Sequence, residues 1–193
     1  MVVHTLFKFE EDIFYLSEYH PYHSSEIITD IDRKIMDLKN YDQEDWKVEK
    51  QEAAEDFFYK KLAYIINSNI DTHILKKLVV CRVPRSEKNT ENHIFNIAQR
   101  LCSELRLIDG TKCLIRFTSI QPAHNSGIRT SGRHLKSIVV NNPDIIKNSY
   151  ILLLDDVITE GKAFEECKSL LLNAGAKEVT CIAMGRTTYS SGE

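Results

Sequence analysis

The chain has 193 residues, of which 42% are hydrophobic and 27% charged, a composition that excludes a disordered protein and fits one globular domain with a smaller attached subdomain. Its formal net charge of -3 and pI near 6.2 give no overall positive field, which argues against dedicated nucleic-acid or membrane binding. The N-terminus lacks a basic leader followed by an apolar core, and no apolar run approaches the roughly 20 residues that span a bilayer, so we expect a cytoplasmic protein. The five cysteines are scattered and never spaced as CxxC, so we expect reduced core residues.

Helical patterns dominate the first part of the chain, residues 1–77. Apolar residues in 28–38 keep a spacing of three and four after the candidate caps Ser24 and Ser25, and those in 46–66 predict a second, longer helix. We therefore expect a mainly helical N-terminal segment.

An aromatic stretch, LFKFEEDIFYLSEYHPYH, precedes these helices and fits either a short ribbon or an irregular cover. Its histidines His20 and His23 have no cysteine or acidic partner at ligand spacing. We predict no zinc site there.

From residue 78 onward, short apolar runs alternate with helical patterns, as in a parallel sheet with crossover helices. A helix over 94–105 has Asn89 or Thr90 as its candidate cap, and a second helix is predicted over 163–173. The predicted strands are LVVCRV, KCLIRF, ILLLDD and EVTCIAM. The fold class is therefore α/β, with an open, mainly parallel sheet and flanking helices.

Asp155 and Asp156 follow the most apolar of these strands. Ligands of open parallel sheets bind beyond the carboxyl ends of the strands, and burying two charges would be costly. The pair should therefore face a solvated cleft, where carboxylates can accept hydrogen bonds from the vicinal hydroxyls of a ribose. The same oxygens can hold a hard cation such as Mg²⁺, directly or through water.

The turn over 159–163 opens the following helix, so its backbone amides and the helix dipole can cradle a phosphate. A P-loop does not fit, because Asp156 and Ala163 stand where glycine and Ser or Thr are required. A phospho-receiver domain would need more chain after the aspartates. A plain strand end with a capped turn remains the alternative.

The stretch LLLDDVITEGKAF resembles the phosphoribosyl-pyrophosphate (PRPP) signature of type I phosphoribosyltransferases. Downstream, LLLNAGAKEVTCIAMGRT is similar to members related to competence protein F. The resemblance implies a phosphoribosyltransferase core over 78–193 beneath an N-terminal hood over 1–77. It implies that Asp155 and Asp156 bind the ribose hydroxyls with magnesium nearby, and that the following residues also bind PRPP, namely Val157, Ile158, Thr159, Glu160, Gly161, Lys162 and Ala163.

The loop departs from the family pattern at two positions. The family usually has hydroxyls where this chain has Glu160 and Ala163, so two phosphate donors are replaced. A carboxylate facing a phosphate is repulsive unless it turns away or meets a cation, and Lys162 is the nearest candidate.

Two further segments carry cations that fit pyrophosphate. The resemblance assigns a pyrophosphate-contacting loop after the first strand of the core, where Arg85 and Ser86 can donate hydrogen bonds, although a solvated basic turn is the alternative. It also implies that the polar stretch 118–138 forms a mobile hood over the reacting centre. In that stretch Arg129 and Arg133 are the strongest candidates to stabilise the leaving group. The alternative for that stretch is a surface excursion.

We therefore expect a magnesium-dependent phosphoribosyltransferase that joins PRPP to an unidentified nitrogen acceptor and releases pyrophosphate. The resemblance also favours a homodimer. The alternative is a catalytically weak or inactive module of the same fold that binds PRPP or a nucleotide and regulates a partner.

Overall fold

The computed structural model describes residues 8–10, 13–21, 28–39, 48–85, 92–117 and 137–188. Within these ranges the helices are α1 (Asp30–Lys39), α2 (Val48–Asn69), α3 (Thr72–Leu75), α4 (His93–Leu105), α5 (Pro143–Ile146) and α6 (Lys162–Asn173). The strands are β1 (Lys8–Glu10), β2 (Ile13–Tyr15), β3 (Glu18–Tyr19), β4 (Leu78–Arg82), β5 (Ile108–Asp109), β6 (Leu114–Arg116), β7 (Ile138–Val140), β8 (Tyr150–Ile158) and β9 (Glu178–Thr187).

The main sheet has seven strands in the order β1-β2-β9-β8-β4-β5, and β3 also pairs with β9. Every pairing in it is parallel except that of β1 with β2. The predicted α/β fold with an open, mainly parallel sheet and flanking helices is confirmed. The apolar strand β8 lies between β9 and β4, which explains its continuous apolar run.

The predicted strand KCLIRF forms, but outside the main sheet. Its residues Leu114–Arg116 pair antiparallel with β7 in a separate sheet of two strands. The edge position beside β4 is taken by β5, whose two residues carry no readable apolar pattern. The chain leaves the sheet at Gly110, which packs so close to β4 that a Cβ there would lie 2.4 Å from Val79 Cγ1.

The N-terminal part supplies the two predicted helices and also strands. In the aromatic stretch, β1 and β2 form a ribbon. Strand β2 then pairs with β9, in a register that places Ile13 opposite Cys181 and Tyr15 opposite Ala183. The main sheet therefore contains strands from both sides of residue 77. The division of the chain at that residue stays a prediction.

The two faces of the sheet bury separate cores. The first core lies under α1, α2 and α4 and includes the fully buried Ile35, Phe58 and Leu101. The second core lies under α6 and the small sheet and includes Phe164 and Cys167. All five cysteines are free and buried, as predicted.

Polar caps fix the starts of two helices. At α1, the Asp32 N–H donates to Thr29 Oγ1 at 3.1 Å, and the Thr29 N–H donates back to Asp32 Oδ2 at 2.8 Å. At α4, the side chain of Asn92 accepts from the Phe95 N–H at 3.0 Å, so Asn92 is the cap and the predicted choice of Asn89 or Thr90 is wrong. The candidate caps Ser24 and Ser25 lie outside the described residues.

Among the helices in the described ranges, none combines the length and the apolar character that a bilayer crossing requires.

Candidate functional site

The acid pair lies at the carboxyl end of the central strand β8. Leu153 and Leu154 are 0% exposed between the neighbouring strands, and the chain becomes partly exposed at Asp155 and Asp156. Val83 N–H donates to Leu154 O at 2.9 Å and continues the pairing with β4 beyond its last strand residue. The loop after β4 therefore starts beside the acids.

The two aspartates meet different surroundings, because successive residues of a strand point to opposite faces. Asp155 raises the pKa of Cys167, a residue of the second core, after the larger effect of burial. Asp156 raises the pKa of Tyr19, a residue of the first core, after the larger effects of burial and Asp32. A ligand that touches both carboxylates must therefore lie over the end of the strand.

The side chains of β8 stop alternating regularly between the two faces of the sheet after Asp156. Val157 packs against the first core, whereas Ile158 is 3% exposed and belongs to the second core. Both were predicted to bind PRPP. The side chain of Ile158 is buried and that of Val157 is partly buried, so both take part in packing.

Desolvation raises the pKa of Asp155 well above its usual value, and the charge of Asp156 adds to the effect, while the guanidinium of Arg82 opposes it. Asp155 Oδ1 accepts from the Asp156 N–H at 2.9 Å, and Asp156 Oδ1 accepts from the Val157 N–H at 2.6 Å. Across the described part of the chain, neither carboxylate forms an ion pair. The acids are therefore not neutralised by internal salt bridges.

The turn after β8 leads directly into α6. Gly161 caps the helix in the left-handed region, with φ of 72°, and a Cβ there would lie 3.1 Å from Ile13 Cδ1 of β2. The carboxylate of Glu160 accepts from Lys162 Nζ at 2.5 Å. The cation predicted to offset Glu160 does so, and both side chains are exposed.

A second threonine stands beside this turn and was missed by the sequence reading. Thr187, at the end of β9, has its Oγ1 3.3 Å from Thr159 Oγ1. The signal is the parallel register of β8 and β9, in which Ile158 pairs with Arg186. Without knowing that these strands are neighbours, a reader of the sequence cannot connect two threonines 28 residues apart.

The loop after β4 is held from behind by a buried arginine. Arg116 Nε donates to Arg85 O at 2.6 Å, Arg116 Nη2 donates to Pro84 O at 3.3 Å, and Arg116 Nη1 donates to Ser137 Oγ. Arg85 itself is partly buried.

Three predicted site residues, Ser86, Arg129 and Arg133, lie outside the described residues. Their places in the site stay predictions.

The acid pair offers oxygen ligands of the kind that magnesium prefers. No group of three or more His, Cys, Asp or Glu side chains in the described ranges could enclose a metal ion. Magnesium commonly uses only one or two protein carboxylates and keeps water and ligand phosphates for its other positions. Asp155 and Asp156 without internal ion pairs fit that mode of binding.

The described residues thus define an α/β protein with an acid pair, a glycine turn and a helix start gathered at the carboxyl end of its central strand. No family model matches the sequence, and no curated protein matches it either.

The chain is similar to several solved structures. One is phosphoribosylpyrophosphate synthetase from Mycobacterium smegmatis, with a TM-score of 0.41 and 17% identity over 69% of this chain and 33% of that chain. Another is the allosteric regulatory enzyme of purine biosynthesis, with a TM-score of 0.47 and 17% identity over 77% of this chain and 30% of that chain. A third is adenine phosphoribosyltransferase from Leishmania tarentolae, with a TM-score of 0.46 and 16% identity over 94% of this chain and 81% of that chain. The chain therefore spans about a third of the length of the first two proteins, 33% and 30%.

Proposed function

We propose that the protein binds PRPP with magnesium and transfers its phosphoribosyl group to a nitrogen acceptor, with release of pyrophosphate. One observation carries the proposal: two carboxylates outside any ion pair of the described chain stand at the end of β8, immediately before the glycine turn that opens α6. The diol and the 5′-phosphate of a ribose 5-phosphate unit lie side by side in the same way as the acid pair and the turn. The resemblance of LLLDDVITEGKAF to the PRPP signature points the same way.

In this proposal Asp155 and Asp156 grip the ribose. An ionised carboxylate is purely an acceptor, so each can receive a hydroxyl hydrogen from the 2′ or 3′ position. Because the aspartates lie toward opposite faces of the sheet, the ring would bind across the strand end rather than against one face. That position would hold C1 in a fixed place relative to the leaving group.

The 5′-phosphate would bind at the turn. The amides at the start of α6 are unpaired within the helix and favour an anion, and the Thr159 hydroxyl can add a neutral donor. The ion pair with Lys162 offsets the charge of Glu160, which would otherwise repel the phosphate. The loss of two family hydroxyls thus weakens this part of the site without closing it.

Charge develops mainly at C1 and on the departing pyrophosphate, so the protein must stabilise that charge rather than form a bond of its own. Arg85 with Ser86, and Arg129 with Arg133, are the proposed cationic and polar donors to the pyrophosphate. Asp155 and Asp156 would hold magnesium, which neutralises pyrophosphate oxygens when bound.

Calorimetric titration with PRPP and magnesium tests this proposal. The wild-type protein should bind, and the double variant Asp155→Asn with Asp156→Asn should lose at least about tenfold in affinity, because both ribose acceptors lose their charge. The exposed Asp144→Asn, on α5, is the matched control and should bind like wild type. Unchanged affinity in the double variant would refute the proposal.

A regulatory module is the second candidate, and Glu160 and Ala163 favour it because they replace hydroxyl donors at the turn. A pyrophosphate-release assay over a panel of nucleobases separates the two functions. Pyrophosphate release above the rate measured without an acceptor supports the transferase. Tight binding of PRPP with no pyrophosphate release in the presence of any base supports the module.

A further inference from the structure

Arg116 is a charged residue inside the protein. It is 5% exposed, at the end of β6, and its guanidinium donates to three acceptors in different directions. Two of them are the backbone carbonyls of Pro84 and Arg85, and the third is the Ser137 hydroxyl.

These acceptors belong to segments that are far apart in sequence. Pro84 and Arg85 lie 32 and 31 residues before Arg116, in the loop that starts beside the acid pair. Ser137 is the described residue at which the chain returns from the polar segment 118–136, and its carbonyl accepts from the Phe117 N–H at 2.9 Å. One side chain therefore ties the loop after β4 to both ends of that polar segment.

The hydrogen bonds of Arg116 go to neutral groups, although the charge of Glu166 favours the ionised guanidinium. All three acceptors are neutral, and in the ranges described here no carboxylate lies within ion-pair distance of its guanidinium. Desolvation lowers the pKa of the guanidinium, because burial disfavours its charged form. An apolar side chain would avoid that cost but would remove the hydrogen bonds that Arg116 donates to the carbonyls of Pro84 and Arg85.

We propose that Arg116 is a positioning residue for the pyrophosphate side of the site, fixing the loop at Pro84 and Arg85 against the roots of the polar segment. This inference rests on the proposed function, because it assigns the loop after β4 to pyrophosphate. Arg116 acts through the carbonyls that it holds and does not itself touch the ligand. The ribose side, at Asp155 to Lys162, does not depend on it.

The test separates the two sides of the site with two probes, inorganic pyrophosphate and ribose 5-phosphate, each titrated with magnesium. Arg116→Lys keeps the charge but cannot reach three acceptors with one ammonium, so pyrophosphate should bind at least about tenfold more weakly. Ribose 5-phosphate should bind within about twofold of wild type. Ser137→Ala removes one acceptor and should weaken pyrophosphate binding by a smaller factor in the same direction, which keeps the test decisive if Arg116→Lys does not fold.

Arg33→Lys, an exposed exchange of the same kind on α1, is the control and should change neither affinity. Hydrogen exchange of the ligand-free protein adds a second readout. Arg116→Lys should speed exchange in peptides covering 83–85 and 137–140, and leave 150–158 unchanged.

The outcomes are distinct. If wild type binds both probes and Arg116→Lys binds pyrophosphate equally well, the role of Arg116 is refuted while the proposed function stands. If Arg116→Lys loses both probes alike, Arg116 supports the fold in general and the inference is also refuted. If wild type binds neither probe, the proposed function fails, and the inference fails with it.

Discussion

Asp155 and Asp156 share a strand end but differ in what surrounds them. Desolvation raises the pKa of Asp155, and the neighbouring negative charge of Asp156 works in the same direction. A protein that keeps such a carboxyl loses stability at neutral pH, since ionisation inside the fold is harder than in the unfolded chain. Binding a cation or hydroxyl donors would relieve that cost.

Asp155→Asn should therefore stabilise the ligand-free protein. The folded-state pKa of Asp155 is raised above 3.8, the ordinary value for an aspartate. The contribution of Asp155 to stability is therefore most favourable below pH 3.8 and is lost as the pH rises through the folded pKa. We expect the variant to gain on the order of 1 kcal/mol in free energy of unfolding at pH 7 and to show no gain at pH 3.

Urea denaturation at both pH values measures this, with the exposed Asp144→Asn as control, expected within about 0.5 kcal/mol of wild type. A loss of stability at pH 7 in Asp155→Asn would contradict the assignment.

Gly161 offers a second test at the residue scale. Its φ of 72° strains any residue with a Cβ, and the added atom would lie 3.1 Å from Ile13 Cδ1. Gly161→Ala should lower the free energy of unfolding by about 1–2 kcal/mol and weaken ribose 5-phosphate binding, because the turn amides must shift.

Gly175→Ala is its matched control, since Gly175 follows the other end of α6 with φ of 93°. That variant should lose similar stability in denaturation and keep its affinity in calorimetry. Equal affinity in both variants would remove the turn from the binding site.

At the scale of elements, one carboxylate joins α1 to the strands. Asp32 is 0% exposed and receives N–H bonds from Thr29 and from His20, which directly follows β3. Burial alone would raise the pKa of Asp32, but these hydrogen bonds, with that of the Thr29 hydroxyl, lower it. The cap therefore fixes where α1 sits on the sheet as well as where it begins.

Asp32→Asn should cost about 1–3 kcal/mol in free energy of unfolding at pH 7, since the amide supplies a single acceptor oxygen for the donors that two carboxylate oxygens now serve. Because the folded pKa is lowered, the contribution of Asp32 is present above the unfolded pKa and disappears as the pH falls through the folded pKa. The difference between wild type and variant should thus shrink in acid.

Thermal denaturation at pH 7 and below pH 3 checks this, and Asp30→Asn in the same helix turn, with a side chain 89% exposed, should change stability by less than about 0.5 kcal/mol. A difference that persists unchanged in acid would argue against the lowered pKa.

The sequence predicts those elements whose pattern is local. The long apolar or amphipathic runs that became α2, β4, α4, β8, α6 and β9 were readable because burial imposes a period of 3.6 or a continuous apolar strand. β5 and β7 were not, since two or three residues carry no period. In the site, the acid pair and the turn lie in one stretch and could be found, whereas Thr187 and Arg116 reach the site only through tertiary contacts.

For the whole molecule, the sheet and the first core combine both parts of the chain. β2 and β3 cover the outer edge of β9, and the fully buried side chains of α1 and α2, among them Ile35 and Phe58, pack on the same face as Leu154. Gly185 permits this close approach, because a Cβ there would lie 2.6 Å from Ile35 Cδ1.

A fragment over 78–193 should therefore not fold cooperatively by itself, because it exposes the edge of β9 and the face beneath α1 and α2. Circular dichroism during heating should show no sharp transition, whereas a fragment over 8–188 should melt like the full chain. A sharp transition in the shorter fragment, with wild-type affinity for PRPP, would instead establish the C-terminal part as an independent domain.

The pairing of β2 and β3 with β9 also sets an order of events during synthesis on the ribosome. The contact between Thr188 and Tyr19 spans 169 residues, so the aromatic ribbon is made long before its partner strand β9. Until β9 is made the nascent chain carries an unmatched strand edge, and contacts of such long range form slowly. Chaperones that shield emerging apolar segments should therefore raise the yield of this protein most when they engage the segment that forms β1, β2 and β3.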